Sequence, residues 1–220
     1  ARLGKLVRDC GWRGLDMVHS MLSFARGARR AEQVKLGGLF SAFDLLMQGS
    51  VPRSVAMELV IDDPELSFEG NHTELQQCLL NLCLNAIQAM PDGGKLHIET
   101  SQATLDDDFF LPEEQPRNGR YLCISVKDDG PGMEPAVLEH MFEPFFTTKE
   151  TGTGLGLLSC KRIVGSHGGV MRVESEPGRG TRFDLYIPLE EVVSDALGAG
   201  DDDELEGAAE RVLVVVEEAG

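Results

Sequence analysis

Two glycine clusters constrain this chain more than any other feature. Asp128-Asp129-Gly130-Pro131-Gly132 and Gly152-Thr153-Gly154-Leu155-Gly156 flank the segment Phe142-Glu143-Pro144-Phe145-Phe146-Thr147-Thr148-Lys149. Lacking a Cβ, the backbone there can approach another chain segment or a ligand closely. The first cluster follows a mostly apolar run that ends at Asp128, and the second opens an amphipathic run beginning near Leu155. One is therefore a strand-to-loop junction and the other a helix N-terminus. Upstream, Asn81-Leu82-Cys83-Leu84-Asn85 lies in a strong helical pattern, so its two asparagines share one face.

The remaining pattern alternates helices and strands. Val34–Leu36 reads as a short strand, 37–48 as an amphipathic helix, and Val55–Ile61 and Leu66–Glu69 as strands. Asn71 or Thr73 caps a helix running to about Met90, with Leu75, Leu79, Leu82, Ala86 and Ala89 on its apolar face. Pro91-Asp92-Gly93-Gly94 ends it before a strand at Lys95–Thr100. The acidic, proline-bearing stretch 103–119 reads as a hairpin loop, and Asp106-Asp107-Asp108 within it lacks the ligand spacing of a metal site. Strands are expected at Tyr121–Lys127, Val170–Glu174 and Arg182–Pro188, with helices at 135–141 and Leu155–His167. This order suits an α/β two-layer sandwich, a mixed sheet with helices on one face.

The ends differ from that domain. Leu3, Val7, Cys10, Gly14, Met17, Met21, Phe24 and Ala28 alternate spacings of four and three, a heptad seam for a long coiled-coil-like helix over residues 3–28. Such a helix pairs with another helix or another subunit, which suggests a homodimer through this segment. Residues 190–210 are acidic and rich in Ala and Gly, a linker composition. Arg211–Val216 is a buried-strand pattern close to the end of the sequence. The chain does not open on Met, so it reads as part of a longer protein. The net charge of −17 argues against nucleic acid as a main partner. No apolar run is long enough to cross a bilayer, and five scattered cysteines without CxxC spacing suit reduced core thiols, a cytoplasmic pattern.

The chemistry of the motif residues converges on one ligand class. An Asn amide oxygen, such as that of Asn85, can complete the shell of a phosphate-bound Mg²⁺. The Asp128 carboxylate accepts only, and so can take a hydrogen bond from the adenine amino group that guanine lacks. Unpaired N–H groups at the helix start after Gly152–Gly156 suit phosphate oxygens. That cluster lacks the Lys-Ser/Thr of a Walker A loop, and its GxGxG spacing is not the GxGxxG of a Rossmann turn. The polar stretch 147–151 suits a lid, from which Lys149 could reach phosphate. Each signal alone also fits a bland reading: surface amides, a turn, a solvated lysine. Together they predict a site for ATP with Mg²⁺.

In their order, these segments resemble the sensor histidine kinases. Asn81–Ala86 is similar to that family's asparagine box, Asp128–Met133 to its first glycine box, Phe142–Lys149 to its phenylalanine box and Gly152–Leu157 to its second glycine box. Gly178-Arg179-Gly180-Thr181-Arg182-Phe183 through Pro188 is similar to its closing strand pair. The resemblance implies a Bergerat-type sandwich over 34–189, with Asn85 on Mg²⁺ and Asp128 on adenine. It further implies that Gly130, Gly132, Thr153, Gly154, Leu155, Gly156 and Thr181 shape the nucleotide pocket, with Phe145 and Phe146 anchoring the lid. Asn81 and Lys149 would be the catalytic side chains. Related ATPases of gyrase, heat-shock chaperone and mismatch-repair type carry a glutamate where this chain has Asn81. An amide cannot take a proton from water at neutral pH, so phosphoryl transfer to an external nucleophile fits better than hydrolysis.

The family's phosphoacceptor histidine, followed by an acid, has no counterpart here. Residues 1–30, with Met21-Leu22-Ser23-Phe24-Ala25-Arg26, resemble only the second helix of the dimerisation hairpin. His19, His72, His97, His140 and His167 lack acceptor context. The resemblance therefore implies two partners, an acceptor hairpin in the parent protein and a response-regulator receiver domain. Arg211–Glu218 is similar to a receiver's first strand, with Val216 where Asp is usual, so 211–220 could begin a fused receiver. An ATPase or chaperone-like domain, and a nucleotide-binding regulatory module without catalysis, stay open as alternatives.

Overall fold

The computed structural model describes residues 32–111, 114, 118–149 and 152–189. The expected helix 3–28, the acidic linker and the strand near 211–216 lie outside the described residues.

The chain forms β1 (Glu32–Lys35), α1 (Leu36–Met47), β2 (Val55–Ile61), β3 (Ser67–Gly70), α2 (His72–Ala89), β4 (Gly94–Leu105), β5 (Gly119–Asp128), α3 (Pro135–His140), α4 (Gly156–Ser166), β6 (Val170–Glu176) and β7 (Gly180–Pro188). Five strands make one sheet in the order β2-β4-β5-β7-β6, while β1 and β3 pair as a separate antiparallel ribbon. Only β2 and β4 run parallel, because α2 carries the chain across between them. The remaining neighbours are antiparallel.

Strand alternation sorts the sheet's two faces. Leu96 and Ile98 of β4, Leu122, Ile124 and Val126 of β5, and Phe183, Leu185 and Ile187 of β7 point to the helices. There they meet Leu39, Phe40 and Phe43 of α1, Leu75, Leu79 and Leu82 of α2, and Ile163 and Val164 of α4 in one core. α1 lacks a side-chain cap, and its first N–H groups are satisfied instead by the loop before β3, Leu36 N on Leu66 O at 2.9 Å and Gly37 N on Pro64 O at 2.8 Å. α2 is capped by Asn71, whose side chain accepts from Glu74 N.

The opposite face departs from the expected hairpin loop. β4 continues to Leu105 and β5 begins at Gly119, so only the middle of 103–119 is loop. A 3₁₀ turn at Asp107–Phe109 lays Phe109 and Phe110 over Leu105, Tyr121, Cys123 and Tyr186, a second small apolar cluster. Arg172 clamps it, with both guanidinium nitrogens on Glu114 at 2.8 and 2.7 Å and its plane over the Phe109 ring. That pairing holds the Glu114 carboxyl below its ordinary range.

Candidate functional site

The sheet delivers Asp128 to the last position of β5, opposite Leu96 of β4 and Thr181 of β7. It is 6% exposed, and alternation turns its side chain to the helix side. Gly130 N donates to its Oδ1 at 2.9 Å, and the Thr181 backbone donates to the same carboxyl. Burial raises its pKa. The two backbone donors and the Lys149 charge act in the opposite sense, and the neighbouring Asp129 adds to the rise.

Asp129 has a different task. Its Oδ1 accepts from Lys95 N at 2.7 Å and its own N–H returns to Lys95 O, which ties the first glycine loop to β4. Of the two adjacent carboxylates, only Asp128 is left facing the helix layer.

α2 buries Leu75, Cys78, Leu79, Leu82, Cys83, Ala86 and Ile87. Its periodicity leaves Asn81 and Asn85 half-buried and Gln88 exposed. Asn85 Oδ1 and Gln88 Oε1 converge on one cation, the Lys149 ammonium, at 2.8 Å each. Met90, just past the helix, and Ala89 back the first glycine loop, since a Cβ on Gly130 would lie 3.3 Å from Met90 Cγ and 3.7 Å from Ala89 Cβ.

Phe145 and Gly154, on either side of the 147–151 stretch, are held to each other by backbone. Phe145 N donates to Gly154 O at 3.1 Å, and a Cβ on Gly154 would fall 2.3 Å from the Phe145 carbonyl carbon. Phe145 itself has φ of 68° and is 74% exposed. Phe146 behaves differently: it is half-buried, with its ring 5.8 Å from the His140 imidazole. The expected pair of aromatic anchors thus divides into one packed ring and one held through its main chain. Thr153 and Leu155 are half-buried on either side of Gly154. The helix starts at Gly156, one residue later than expected, and its N-cap residue Leu155 makes no side-chain cap.

Other residues support the site without having announced themselves. Ser175 Oγ accepts from Met133 N at 2.9 Å, donates to Gly180 O at 3.0 Å and meets Thr181 Oγ1 at 2.9 Å. It fastens the first glycine loop to the β6–β7 turn. Gly132 enters the same junction, at φ of 68°, where a Cβ would stand 1.9 Å from Glu176 O. His167 Nδ1 lies 2.7 Å from Ile163 O while Nε2 accepts from Asn71 N at 2.9 Å, so this histidine clasps the end of α4 to the start of α2. Gln88 and Ser175 carried no motif signal. Asp129 and Gly180 lay inside recognised segments but without an assigned role.

The chain belongs to the Histidine kinase-, DNA gyrase B-, and HSP90-like ATPase family, whose model matches residues 70–191. Within that family it is a histidine kinase catalytic ATP-binding domain. Sporulation kinase E of Bacillus subtilis (strain 168) is 40% identical over 148 residues, 66% of this chain but 18% of that protein. The chain spans only about a fifth to a third of the curated relatives it matches. Among solved structures, the catalytic domain of histidine kinase ThkA, in a nucleotide-free form, superposes with a TM-score of 0.60 at 29% identity, covering 73% of this chain and 97% of that one. Full-length ShkA in complex with AMPPNP matches with a TM-score of 0.64 at 25% identity, over 84% of this chain and 38% of ShkA. ThkA has also been solved in complex with response regulator protein TrrA, and that match, at 24% identity and a TM-score of 0.63, is a likeness of fold. No helix among the described residues is long and apolar enough to cross a membrane.

Proposed function

We propose that this chain binds Mg-ATP between α2, the first glycine loop and the lid, and presents its γ-phosphoryl group to a histidine on a hairpin of the parent protein. The observation that carries this reading is the pairing of a buried, strand-end Asp128 with amide oxygens on α2 that already hold a cation at 2.8 Å. Asp128 accepts from the adenine amino group, and Gly130 keeps the carboxyl aimed while allowing the base to approach. The start of α4, flanked by Thr153, Gly154, Leu155 and Gly156, receives phosphate oxygens. Lys149 neutralises the phosphates from the lid.

Mg²⁺ fits the donor set. Among the described residues no three His, Cys, Asp or Glu side chains gather to cage a metal. Asn85 supplies one hard, neutral oxygen, as suits an ion that keeps waters and takes its other ligands from phosphate. When bound, the ion offsets phosphate charge. Asn81, one turn earlier on the same face, positions the phosphate end and offers no base to water, so transfer to an external nucleophile is favoured over hydrolysis.

Around this core we assign residues 1–30 to the second helix of a dimerisation hairpin, 34–189 to the ATP-binding domain, 190–210 to a linker and 211–220 to the start of a receiver. The partners are the acceptor hairpin and a response-regulator receiver, in the cytoplasm. ShkA's complex with AMPPNP and ThkA's with a response regulator support the nucleotide and partner classes.

Calorimetry with ADP in the presence and absence of Mg²⁺ tests the reading. Asn85→Ala should weaken the Mg-dependent part of binding while leaving the fold intact, and equal titrations of the two proteins would remove Asn85 from the site. Added acceptor hairpin should gain acid-labile phosphate from ATP, whereas the chain alone should form none. Rapid steady-state ATP turnover would favour the ATPase alternative instead.

A further inference from the structure

Lys149 is joined to α2 by two hydrogen bonds, and the second of them, to Gln88, has no role in the nucleotide reading. Its Nζ donates to Asn85 Oδ1 and to Gln88 Oε1, both at 2.8 Å, across more than sixty residues of sequence. Locally the lysine sits in a small turn, with its N–H on Thr147 Oγ1 at 3.1 Å and its carbonyl accepting from Gly152 N at 3.2 Å. The side chain that fastens this segment of the lid to α2 is thus also the positive charge facing Asn85.

We propose that Asn85 and Gln88 form a latch for the lid, in which the Lys149 ammonium occupies the cation position until Mg-nucleotide replaces it. The inference rests on the Mg-ATP reading of this site and adds an exchange step to it. A divalent ion ligated by Asn85 would stand ~2.1 Å from the oxygen that Lys149 holds at 2.8 Å. The two cations would then be at most ~5 Å apart and repel each other, so the arrangements exclude one another. With Mg-nucleotide in the site, the Lys149 ammonium would leave the amides, and the phosphates would be an anionic alternative for it. The lid is thereby released from α2 in the same event that fills the site. Gln88 is the specific part of this device. It is exposed and presents the second amide one turn after Asn85.

Amide hydrogen exchange on the full 220-residue chain without nucleotide reads the latch at the Lys149 and Gly152 amides, whose hydrogen bonds depend on the lid turn. Gln88→Ala should speed exchange there by roughly fivefold, the effect of losing one hydrogen bond of ordinary strength at an exposed position. Gln88→Glu, with a carboxylate on the ammonium, should slow it. Stopped-flow association of a fluorescent ADP analogue with Mg²⁺ should follow the same order, faster for the alanine variant and slower for the glutamate. Unchanged exchange in both variants overturns the latch. So does tighter Mg-nucleotide binding by Gln88→Glu together with weaker binding by Gln88→Ala, the pattern of a metal ligand. Absence of heat when wild-type chain is titrated with Mg-ADP overturns the nucleotide reading itself, whereas the exchange result in nucleotide-free protein bears on the latch alone.

Discussion

Replacing Asp128 by Asn separates binding from folding. The side chain is 6% exposed and receives Gly130 N at 2.9 Å, so an amide of the same shape can keep its oxygen on Gly130. For stability, two terms oppose each other. Burial is the main cause of the raised Asp128 pKa, so the ionised carboxylate costs the folded state something at neutral pH, and the amide relieves that cost. Against this, the amide has one acceptor oxygen, uncharged, where the carboxylate has two, so the backbone donors of Gly130 and Thr181 are held less strongly. The net change in stability should stay within about 1 kcal/mol. Binding has no such offset. The amino group of adenine loses a charged acceptor, worth about 1.5–3 kcal/mol, which converts to an ADP dissociation constant weaker by about 10- to 150-fold. Calorimetry with ADP beside thermal melts of both proteins gives the two quantities independently. Wild-type affinity should also fall on acidification at a higher pH than an ordinary carboxylate would dictate, because the raised pKa brings protonation earlier and a protonated carboxyl loses acceptor capacity. The variant should lack that step. Undiminished ADP affinity in a folded variant would refute the assignment of Asp128 to the base.

Three other perturbations test the frame around the site. Gly132→Ala places a Cβ 1.9 Å from a backbone oxygen at positive φ, so it should lower stability by about 3 kcal/mol or more, seen in denaturant melts. Arg172→Met unclamps the outer-face cluster and should cost about 1–2 kcal/mol at neutral pH. Glu114 has a depressed folded pKa, caused first by Arg172. Its contribution is therefore present above the unfolded carboxyl value, and the melting difference should vanish as pH falls through the depressed one. His167→Ala leaves the buried Asn71 N–H without its partner, which should cost about 1–3 kcal/mol and loosen the α2–α4 contact, measurable as faster exchange at Asn71.

How far the sequence could be read depended on whether a signal was local. β2 at Val55–Ile61 kept its expected bounds, and of the two candidate caps for α2 it is Asn71 that accepts from Glu74 N. The far ends of β4 and β5 were hidden. Ala103 and Leu105 pack on Tyr121 and Tyr186 across the outer face, and an acidic, proline-bearing context gave no hint of that cover. Phe145 and Phe146 are adjacent and chemically identical, yet one is turned to solvent by a positive φ while the other meets His140. Nothing in the pair itself distinguishes them.

Sequence alone determined what depends on neighbours along the chain: which runs are helical or extended, where Asn71 starts a helix, and where backbone must go without a Cβ, as at Gly132 and Gly154. The tertiary structure decided which groups meet. Lys149 finds Asn85 from 64 residues away, Ser175 joins two turns, and Asp128 rather than Asp129 keeps a carboxyl toward the helices because Lys95 claims the other. Such partners are chosen by sheet register and helix placement, quantities set by packing of the whole core, and no spacing within a motif encodes them.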